Sequence, residues 1–227
     1  MARPFVRRAL KRAGVLPPRV PRDPEAARPG MPPRIFLPGE AEDAGPVDFR
    51  ALFGRSAPVE LEIGTGKGRF LMEAAAARPD RDFLGIEIER EYALLVTMRA
   101  AKRGLANLRV ESLDGKEFVK RRLRPGALAA LHVYFPDPWP KKRHWKRRLF
   151  DAAFATAAAF ALEPGGLLRV ASDHPGYWSV ITEVLAAEPL LVPVAEAETG
   201  PWSCGTNYEL KFAASGRPVF KAVFRRR

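Results

Sequence analysis

Cysteine and long apolar runs are almost missing from this sequence, and each shortage excludes a class of protein. The single cysteine, Cys204, rules out an intrachain disulfide and a zinc site built from clustered cysteines, and we expect no bound metal. No apolar run reaches the length that a membrane span needs. Without such a run or a hydrophobic signal segment, the sequence predicts a cytoplasmic protein with no membrane partner.

Acidic residues are too few to balance the basic ones, which leaves a formal net charge of +12. Residues 58–115 are nearly neutral, with nine Lys and Arg against ten Asp and Glu. The excess lies in the first 34 residues, in Lys116–Arg124 and in Lys141–Arg148. Because clustered cations bind phosphates by releasing condensed counterions, this pattern indicates a polyanionic partner.

The chain of 227 residues divides into two parts of different composition. Residues 1–46 are basic and rich in proline, and we interpret them as an arm or linker. Residues 1–14 could form a short basic helix, for which an RNA-contacting arm and a transit peptide are the alternatives. Residues 47–227 form the predicted domain, in which short apolar runs alternate with Ala- and Leu-rich stretches from Pro58 onward. The length favours one domain with an appendage over two full domains.

Seven runs in this domain are predicted as β-strands and four as helices. The predicted strands are Val59–Ile63, Phe83–Glu87, Asn107–Ser112, Ala129–Phe135, Leu167–Ala171, Leu190–Ala195 and Val219–Arg225. The predicted helices are Arg69–Ala77, Arg90–Arg103, Arg148–Ala161 and Tyr177–Ala187. This alternation predicts a doubly wound, mostly parallel α/β sheet of seven strands with helices on both faces.

A glycine-rich turn follows the first predicted strand, in the order Gly64-Thr-Gly66-Lys-Gly68. Glycines allow the backbone to turn sharply and to approach a ligand closely. In a doubly wound sheet, ligands bind beyond the carboxyl ends of the strands, where this turn lies. The G-x-G-x-G spacing differs from that of dinucleotide-binding folds, and an ordinary tight turn between strand and helix is an alternative.

Three acidic residues stand at the ends of three successive predicted strands: Glu62, Glu87 and Asp114. Glu62 lies inside a buried strand, where a carboxylate is costly unless a group such as a ligand ammonium pairs with it. Glu87 could accept hydrogen bonds from ribose hydroxyls, and Asp114 from an adenine amino group. S-adenosylmethionine carries all three donors, whereas a nicotinamide dinucleotide leaves Asp114 without a role. We therefore predict S-adenosylmethionine as the cofactor, bound by these acids with Gly64 and Gly66.

The fourth predicted strand ends in Tyr134-Phe-Pro-Asp137-Pro-Trp139-Pro, in which two prolines stiffen the backbone around a carboxylate. Next comes Lys141–Arg148, with six cations in eight residues and a histidine and a tryptophan among them. Cations interleaved with aromatic rings suit phosphate contact and base stacking, which favours RNA as the partner. A solvated basic surface is the alternative.

These motifs resemble those of the bacterial tRNA (guanine-N7-)-methyltransferases, over residues 58–224: V-E-L-E-I-G-T-G-K-G, F-L-G-I-E, Y-F-P-D-P-W-P-K-K-R-H-x-K-R-R, A-S-D-H and T-N-Y-E-x-K-F. The resemblance implies a class I methyltransferase fold and methylation of a guanosine in the variable loop of tRNA. It implies cofactor binding by Glu62, Glu87 and Asp114, and a catalytic role for Asp137, in contact with cofactor or guanine. The residues that it implies for substrate binding are Lys141, Asp173, Thr206, Asn207, Tyr208 and Glu209. Those that it implies for RNA contact are Arg143, His144, Trp145, Lys146, Arg147 and Arg148.

Methylation at guanine N7 needs no general base, because that nitrogen carries a lone pair and no proton. It needs in-line geometry and stabilisation of a purine that becomes cationic. Asp137 suits this role, with Asp173 or Glu209 as a second acceptor for the base. The guanine is expected to leave its stack, and Tyr208 or Trp139 could then stack on it, although ordinary packing explains both rings equally well.

Other residues and other functions are weighed against this interpretation. His132, inside the fourth strand, is expected to be a satisfied core residue, while the role of His174 is open. An amino-group methyltransferase is disfavoured, because the order Pro-Asp-Pro-Trp differs from the Asn/Asp-Pro-Pro-Tyr/Phe of that class. A non-catalytic RNA-binding module explains the basic clusters but not three acids beside a glycine turn. Both a monomer and a homodimer are compatible with the sequence.

Overall fold

The computed structural model describes residues 45–195, 198 and 205–227. The arm predicted over residues 1–46, except its last two residues, and Cys204 lie outside these ranges. The strands are β1 (Val59–Ile63), β2 (Asp82–Ile86), β3 (Leu108–Glu111), β4 (Leu128–Tyr134), β5 (Leu162–Ser172), β6 (Leu191–Val194) and β7 (Phe220–Arg226). The helices with described bounds are α1 (Phe49–Phe53), α2 (Arg69–Ala77), α3 (Arg90–Lys102), α4 (Gly115–Arg122), α5 (Ala152–Ala161), α6 (Pro175–Ala186), α7 (Asn207–Ala214) and a 3-10 helix over Lys142–Arg147.

The seven strands form one sheet in the order β3-β2-β1-β4-β5-β7-β6, which confirms the predicted fold class. The first five strands pair in parallel, while β7 runs antiparallel between β5 and β6. All five residues of β1 and all five of β2 are buried, as expected for strands covered on both faces. The carboxyl ends of the parallel strands therefore share one edge of the sheet.

Two apolar clusters fill the two sides of the sheet because side chains alternate along each strand. Phe83 of β2 packs in one cluster with Leu71 of α2, and its neighbour Leu84 packs in the other with Phe154 of α5. The second cluster also receives partly buried side chains from α1, at the start of the domain.

Three α-helices are absent from the sequence prediction, and two predicted boundaries are wrong by more than two residues. Helices α1, α4 and α7 were not predicted. The predicted helix over Arg148–Ala161 is wrong at its start, because the side chain of Asp151 accepts a hydrogen bond from Phe154 N and caps α5 there. The strand predicted over Leu167–Ala171 begins earlier, at Leu162, and the pairing with β4 shifts register between Leu128 and Ala130.

In the described part of the chain, no helix has both the length and the apolar character that crossing a membrane requires. The same residues contain no group of three or more His, Cys, Asp or Glu side chains that could hold a metal ion.

Candidate active site

Five candidate site residues follow the first five strands at the shared carboxyl edge of the sheet. Gly64, Glu87, Asp114, Asp137 and Asp173 each lie within three residues after the end of a strand, in the order of β1 to β5. The sheet thus gathers on one edge residues that are spread over more than a hundred positions of the sequence. This is the edge at which ligands bind in doubly wound folds.

The glycine turn has a backbone that residues with side chains seldom adopt. Gly64, Gly66 and Gly68 have φ values of 78°, 52° and 71°. A Cβ atom at Gly68 would lie 2.5 Å from a methyl carbon of Val96, so this glycine is needed for close packing of α2 on α3. Around Gly64 and Gly66 a Cβ would meet nothing within 4 Å. These two glycines therefore leave open space where a ligand can approach the backbone.

Glu62 is a buried carboxylate that the described residues do not fully satisfy. Its side chain is 3% exposed, and its Oε2 atom has no hydrogen-bond partner among the described residues. Burial, and then the charge of nearby Glu87, raise the pKa of Glu62 well above its usual value. An unpaired buried carboxylate is costly, and a ligand ammonium would remove this cost.

Glu87 makes two hydrogen bonds within the protein that the sequence did not indicate. Its Oε2 accepts a hydrogen bond of 2.7 Å from Gly66 N, and its Oε1 accepts one of 3.0 Å from Glu89 N. Burial raises the pKa of Glu87, and these two hydrogen bonds partly offset that effect. The carboxylate therefore braces the glycine turn from β2, and its remaining lone pairs can still accept from a ligand.

Asp114 is exposed and caps helix α4. Its Oδ1 accepts from Lys116 N at 2.8 Å and from Glu117 N at 3.1 Å. This cap fixes the direction of the side chain at the end of β3. The second carboxylate oxygen is not used by these two bonds and is available to a ligand donor.

The segment after β4 is strained on both sides of Asp137. Phe135 and Trp139 have φ values of 55° and 42°, although neither is glycine. Such backbone costs roughly 1–3 kcal/mol per residue and tends to occur at functional sites. The strain is held by hydrogen bonds from Phe135 N to Ala171 O (2.8 Å) and from Arg148 Nε to Pro138 O (2.9 Å). Asp137 itself is exposed at the carboxyl edge.

The basic segment forms the 3-10 helix directly after this strained segment. Lys141, Arg143 and Lys146 are exposed, and Trp145 is 46% exposed. Their exposure leaves them accessible to a partner, and contact with RNA stays a prediction. Arg148 differs from them, because its guanidinium lies 4.8 Å from the ring centres of both Trp145 and Tyr177. The ring of Trp139 is not in the core: it packs against His144 and Arg147.

The four residues from Thr206 to Glu209, which are predicted to bind substrate, lie at the start of helix α7. Thr206 Oγ1 accepts a hydrogen bond of 3.0 Å from Glu209 N, and Glu209 Oε2 accepts one of 2.8 Å from Gly205 N. This is close to a capping box, and the order Thr-x-x-Glu in the sequence could have predicted the helix. Tyr208 is 46% exposed and packs on Phe135, beside the strained segment.

Asp173 and Glu209, the two predicted second acceptors, are both paired with cations. Asp173 forms an ion pair of 2.9 Å with Arg217, which follows α7. Glu209 pairs with Lys221 of β7. Together these pairs tie α7 to the end of β5 and to β7, at the same edge as Asp137.

Two other predictions have clear outcomes. His132 is confirmed as a satisfied core residue: it is 3% exposed and bonded to Glu60 and Tyr134. His174, whose role was open, caps α6 by accepting from Tyr177 N at 3.2 Å.

The basic run Lys116–Arg124 is engaged within the protein more than its sequence suggested. Lys116 pairs with Asp151 at 2.6 Å, while Lys120 and Arg121 pair with Glu117 on the same helix. These cations are therefore weaker candidates for phosphate contact than those of the 3-10 helix.

Comparisons with known proteins identify the family. The model of a family described as "Putative methyltransferase" matches residues 56–222. A tRNA (guanine-N7-)-methyltransferase of Bordetella parapertussis is 41% identical over 183 residues, which cover 80% of this chain and 72% of that protein. One of Thiobacillus denitrificans is 38% identical over 231 aligned residues, which cover 100% of this chain and 97% of that protein. The chain belongs to the tRNA (guanine-N7-)-methyltransferase family.

Solved structures agree with this family in fold. The chain is similar to an aminoglycoside-resistance methyltransferase with a TM-score of 0.52 and 16% identity, over 77% of this chain and 90% of that one. A geranyl diphosphate C-methyltransferase of Streptomyces coelicolor gives a TM-score of 0.52 at 14% identity, over 77% of this chain and 72% of that one. S-adenosylmethionine is the methyl donor of the family. The unpaired Oε2 of Glu62 beside the open glycine turn fits its ammonium group.

Proposed function

We propose that this protein transfers the methyl group of S-adenosylmethionine to N7 of a guanosine in the variable loop of tRNA, at the carboxyl edge of β1 to β5. One structural observation carries the location: the buried Glu62 carboxylate lies beside the open glycine turn, and its Oε2 has no hydrogen-bond partner among the described residues. Membership in the tRNA (guanine-N7-)-methyltransferase family supports the reaction.

In this proposal the acids of the first three strands hold the cofactor. Glu62 pairs with its ammonium group, directly or through water. Glu87 accepts from the ribose hydroxyls while it braces the glycine turn through Gly66 N. Asp114 accepts from the adenine amino group with the oxygen that its helix cap leaves available. Residues Gly64 and Gly66 allow the backbone to come close.

The remaining residues bind and orient the guanine. The cofactor supplies an electrophilic methyl group, and N7 supplies the lone pair, so no side chain has to remove a proton. Asp137 accepts hydrogen bonds from the guanine edge and favours the cationic product. The strained backbone at Phe135 and Trp139 holds this carboxylate in place before the base arrives. Asp173 and the start of α7, including Asn207 and Tyr208, line the other side of the base.

The exposed cations and Trp145 of the 3-10 helix bind the RNA backbone and its unpaired bases. Phosphate contacts set the position of the tRNA, and stacking on an aromatic ring helps to hold a base outside its helix. This assignment favours an enzyme over a non-catalytic RNA-binding module, because the basic segment begins only two residues after the strained segment that carries Asp137.

Mapping the modified nucleotide tests the function directly. Transfer RNA is incubated with the protein and S-adenosylmethionine and then treated to cleave the chain at N7-methylguanosine. We expect one cleavage site, in the variable loop. Cleavage elsewhere would show that another nucleotide is methylated, and methylation at another atom would show that the reaction is a different one. The absence of methyl transfer would reject the proposal that the protein is this enzyme.

The variant Asp137→Ala tests the catalytic residue. We expect its single-turnover rate to fall by at least 100-fold, because the fixed charge that favours the product is lost. Its affinity for tRNA should stay within a few-fold of the unmodified protein. Asp80→Ala, at an exposed aspartate before β2, is the matched control and should keep the full rate. An unchanged rate in Asp137→Ala would reject this assignment.

Three further sequence predictions stay predictions. They are the cytoplasmic location, the monomeric or homodimeric state, and the division into an arm over residues 1–46 and a domain over residues 47–227. Cell fractionation, light scattering and expression of residues 47–227 alone would measure them.

A further inference from the structure

A chain of buried polar side chains lies beneath the cofactor edge of the sheet. His132 Nε2 is 2.8 Å from Glu60 Oε2, and His132 Nδ1 is 2.7 Å from the Tyr134 hydroxyl. Glu60 is only 2% exposed, His132 3% and Tyr134 6%. None of them is assigned a role in the proposed reaction, and apolar residues of similar size would fill the same space at a lower cost of desolvation.

The protonation of this chain follows from the charges around it. Arg78 and Arg81 reach Glu60 Oε1 at 2.6 Å and 2.9 Å. Burial alone would raise the pKa of Glu60, but the hydrogen bond from His132 and the charges of the two arginines hold it below its usual value. Burial lowers the pKa of His132, so its ring is neutral near pH 7. Glu60 is therefore an ionised acceptor.

A neutral imidazole has one N–H group and one acceptor nitrogen, which sets the direction of both hydrogen bonds. Because ionised Glu60 can only accept, His132 donates to it from Nε2. Nδ1 then has no proton and accepts from the hydroxyl of Tyr134. Tyr134 therefore donates to His132, and His132 donates to Glu60. This order directs the hydroxyl hydrogen of Tyr134 towards His132.

Tyr134 joins the three elements that build the cofactor edge. It is the last residue of β4, directly before Phe135 and the strained segment. Its ring meets the ring of Phe70 edge-on at 4.9 Å, and the His132 ring lies 4.8 Å from the same Phe70. Phe70 is the second residue of α2, the helix that follows the glycine turn. Glu60 links these residues to β1, the strand that precedes the glycine turn.

We propose that Glu60 and His132 are positioning residues for methyl transfer, which fix Tyr134 and thereby hold the glycine turn in register with the segment that carries Asp137. The proposal rests on the proposed function, since it requires that the turn binds the methyl donor and the segment binds the guanine. In-line transfer depends on the alignment of two reactants, and an error of about 1 Å in such a site can cost roughly 100-fold in rate.

The variant Tyr134→Phe tests the proposal while it preserves the aromatic packing. We expect its single-turnover rate at saturating substrates to fall at least tenfold. Calorimetry should show affinity for S-adenosylhomocysteine weakened by a few-fold, because the glycine turn is less well held. Affinity for tRNA should not change. A pure loss of stability would lower the fraction of active protein without changing the affinity of the folded remainder.

Thr156→Val is the control, because it also removes one hydroxyl that is bonded to a buried partner, although Thr156 itself is exposed. Thr156 Oγ1 donates to Glu188 Oε2 at 2.6 Å, on α5. Urea denaturation measures the stability that each variant loses, and Thr156→Val should keep its rate and its affinity for S-adenosylhomocysteine. Equal rate loss in the two variants would overturn the proposal, as would an unchanged rate in Tyr134→Phe.

Substitution of His132 gives a second, independent measurement. The side-chain amide of His132→Gln can donate from its nitrogen and accept at its oxygen, as the two ring nitrogens of the neutral imidazole do, whereas His132→Leu can do neither. We expect the glutamine variant to recover most of the rate that the leucine variant loses, and equal loss in both would overturn the proposal. Failure of the proposed function would look different, because the unmodified protein would then form no N7-methylguanosine at all.

Discussion

The side chain of Arg148 donates a hydrogen bond of 2.9 Å from Nε to the carbonyl oxygen of Pro138, the residue after Asp137. The same guanidinium lies against the rings of Trp145 and Tyr177, at 4.8 Å from each. One cation of the basic segment is therefore directed at the protein and holds the strained backbone beside the proposed catalytic carboxylate. Lys146, two residues earlier, is exposed.

This contrast predicts different defects for two neighbouring cations. Arg148→Ala should lower the single-turnover rate about tenfold, because Pro138 loses its anchor and Asp137 its fixed position. Its tRNA affinity should keep the same dependence on salt. Lys146→Ala should weaken tRNA binding and reduce the slope of log K against log salt by about one, the value for one lost phosphate contact. A reduced salt slope in Arg148→Ala would assign that residue to the RNA instead.

Cofactor binding should release a proton from Glu62. Burial and the charge of Glu87 raise the pKa of this carboxyl in the free protein, whereas a bound ammonium group favours the carboxylate. Affinity for S-adenosylhomocysteine should therefore fall as the pH drops through the raised pKa. Calorimetry in two buffers with different enthalpies of ionisation would measure the released proton. Glu62→Gln should release less, and equal release by both proteins would show that Glu62 does not pair with the ammonium group.

The stability of the protein should depend on pH through Glu111, at the end of β3. Its side chain is 2% exposed, and neither carboxylate oxygen has a hydrogen-bond partner among the described residues. Burial, partly offset by the charge of Arg122, raises its pKa from 4.5 to about 7. The pKa of Glu111 is higher in the folded than in the unfolded protein, so its protonated form favours folding. This stabilisation is complete below about pH 4.5 and is lost as the pH rises through 7.

Glu111→Gln should therefore be more stable than the unmodified protein at pH 8. At 1.36 kcal/mol per pKa unit, the gain in the free energy of unfolding is at most about 3 kcal/mol. It should shrink towards zero near pH 4, where the glutamic acid is also neutral. Urea denaturation at several pH values measures this difference, and a gain that does not depend on pH would contradict the prediction.

Thr206 should act on substrate binding through the cap of α7. Thr206→Ala removes the acceptor for Glu209 N and should cost about 1 kcal/mol in stability of this helix, with a raised KM for tRNA. Thr206→Ser keeps the acceptor and should retain a normal KM. If the serine variant is as impaired as the alanine variant, the threonine methyl group itself contacts the substrate.

The family, and the position of the candidate site residues at one edge of the sheet, could be predicted from the chain because they depend on local order. Glu62, Glu87 and Asp114 follow alternating apolar runs, and a parallel sheet brings the ends of such runs to one edge. The two prolines beside Asp137 indicated a stiff backbone there, whereas the strain at Phe135 and Trp139 is seen only in the structure. Helix α7 also had a local signal, the order of Thr206 and Glu209, but no apolar periodicity indicated a helix there.

The amino-acid sequence by itself thus determined the fold class, the carboxyl edge that the candidate residues share and the residue types available there. Only the tertiary structure decided how individual side chains are used: that His132 bonds Glu60 across 72 positions, that Glu87 braces Gly66, and that Arg148 turns towards Pro138. The physical reason is that the direction of a side chain depends on partners from distant segments. Their distances and charges exist only once the sheet has formed.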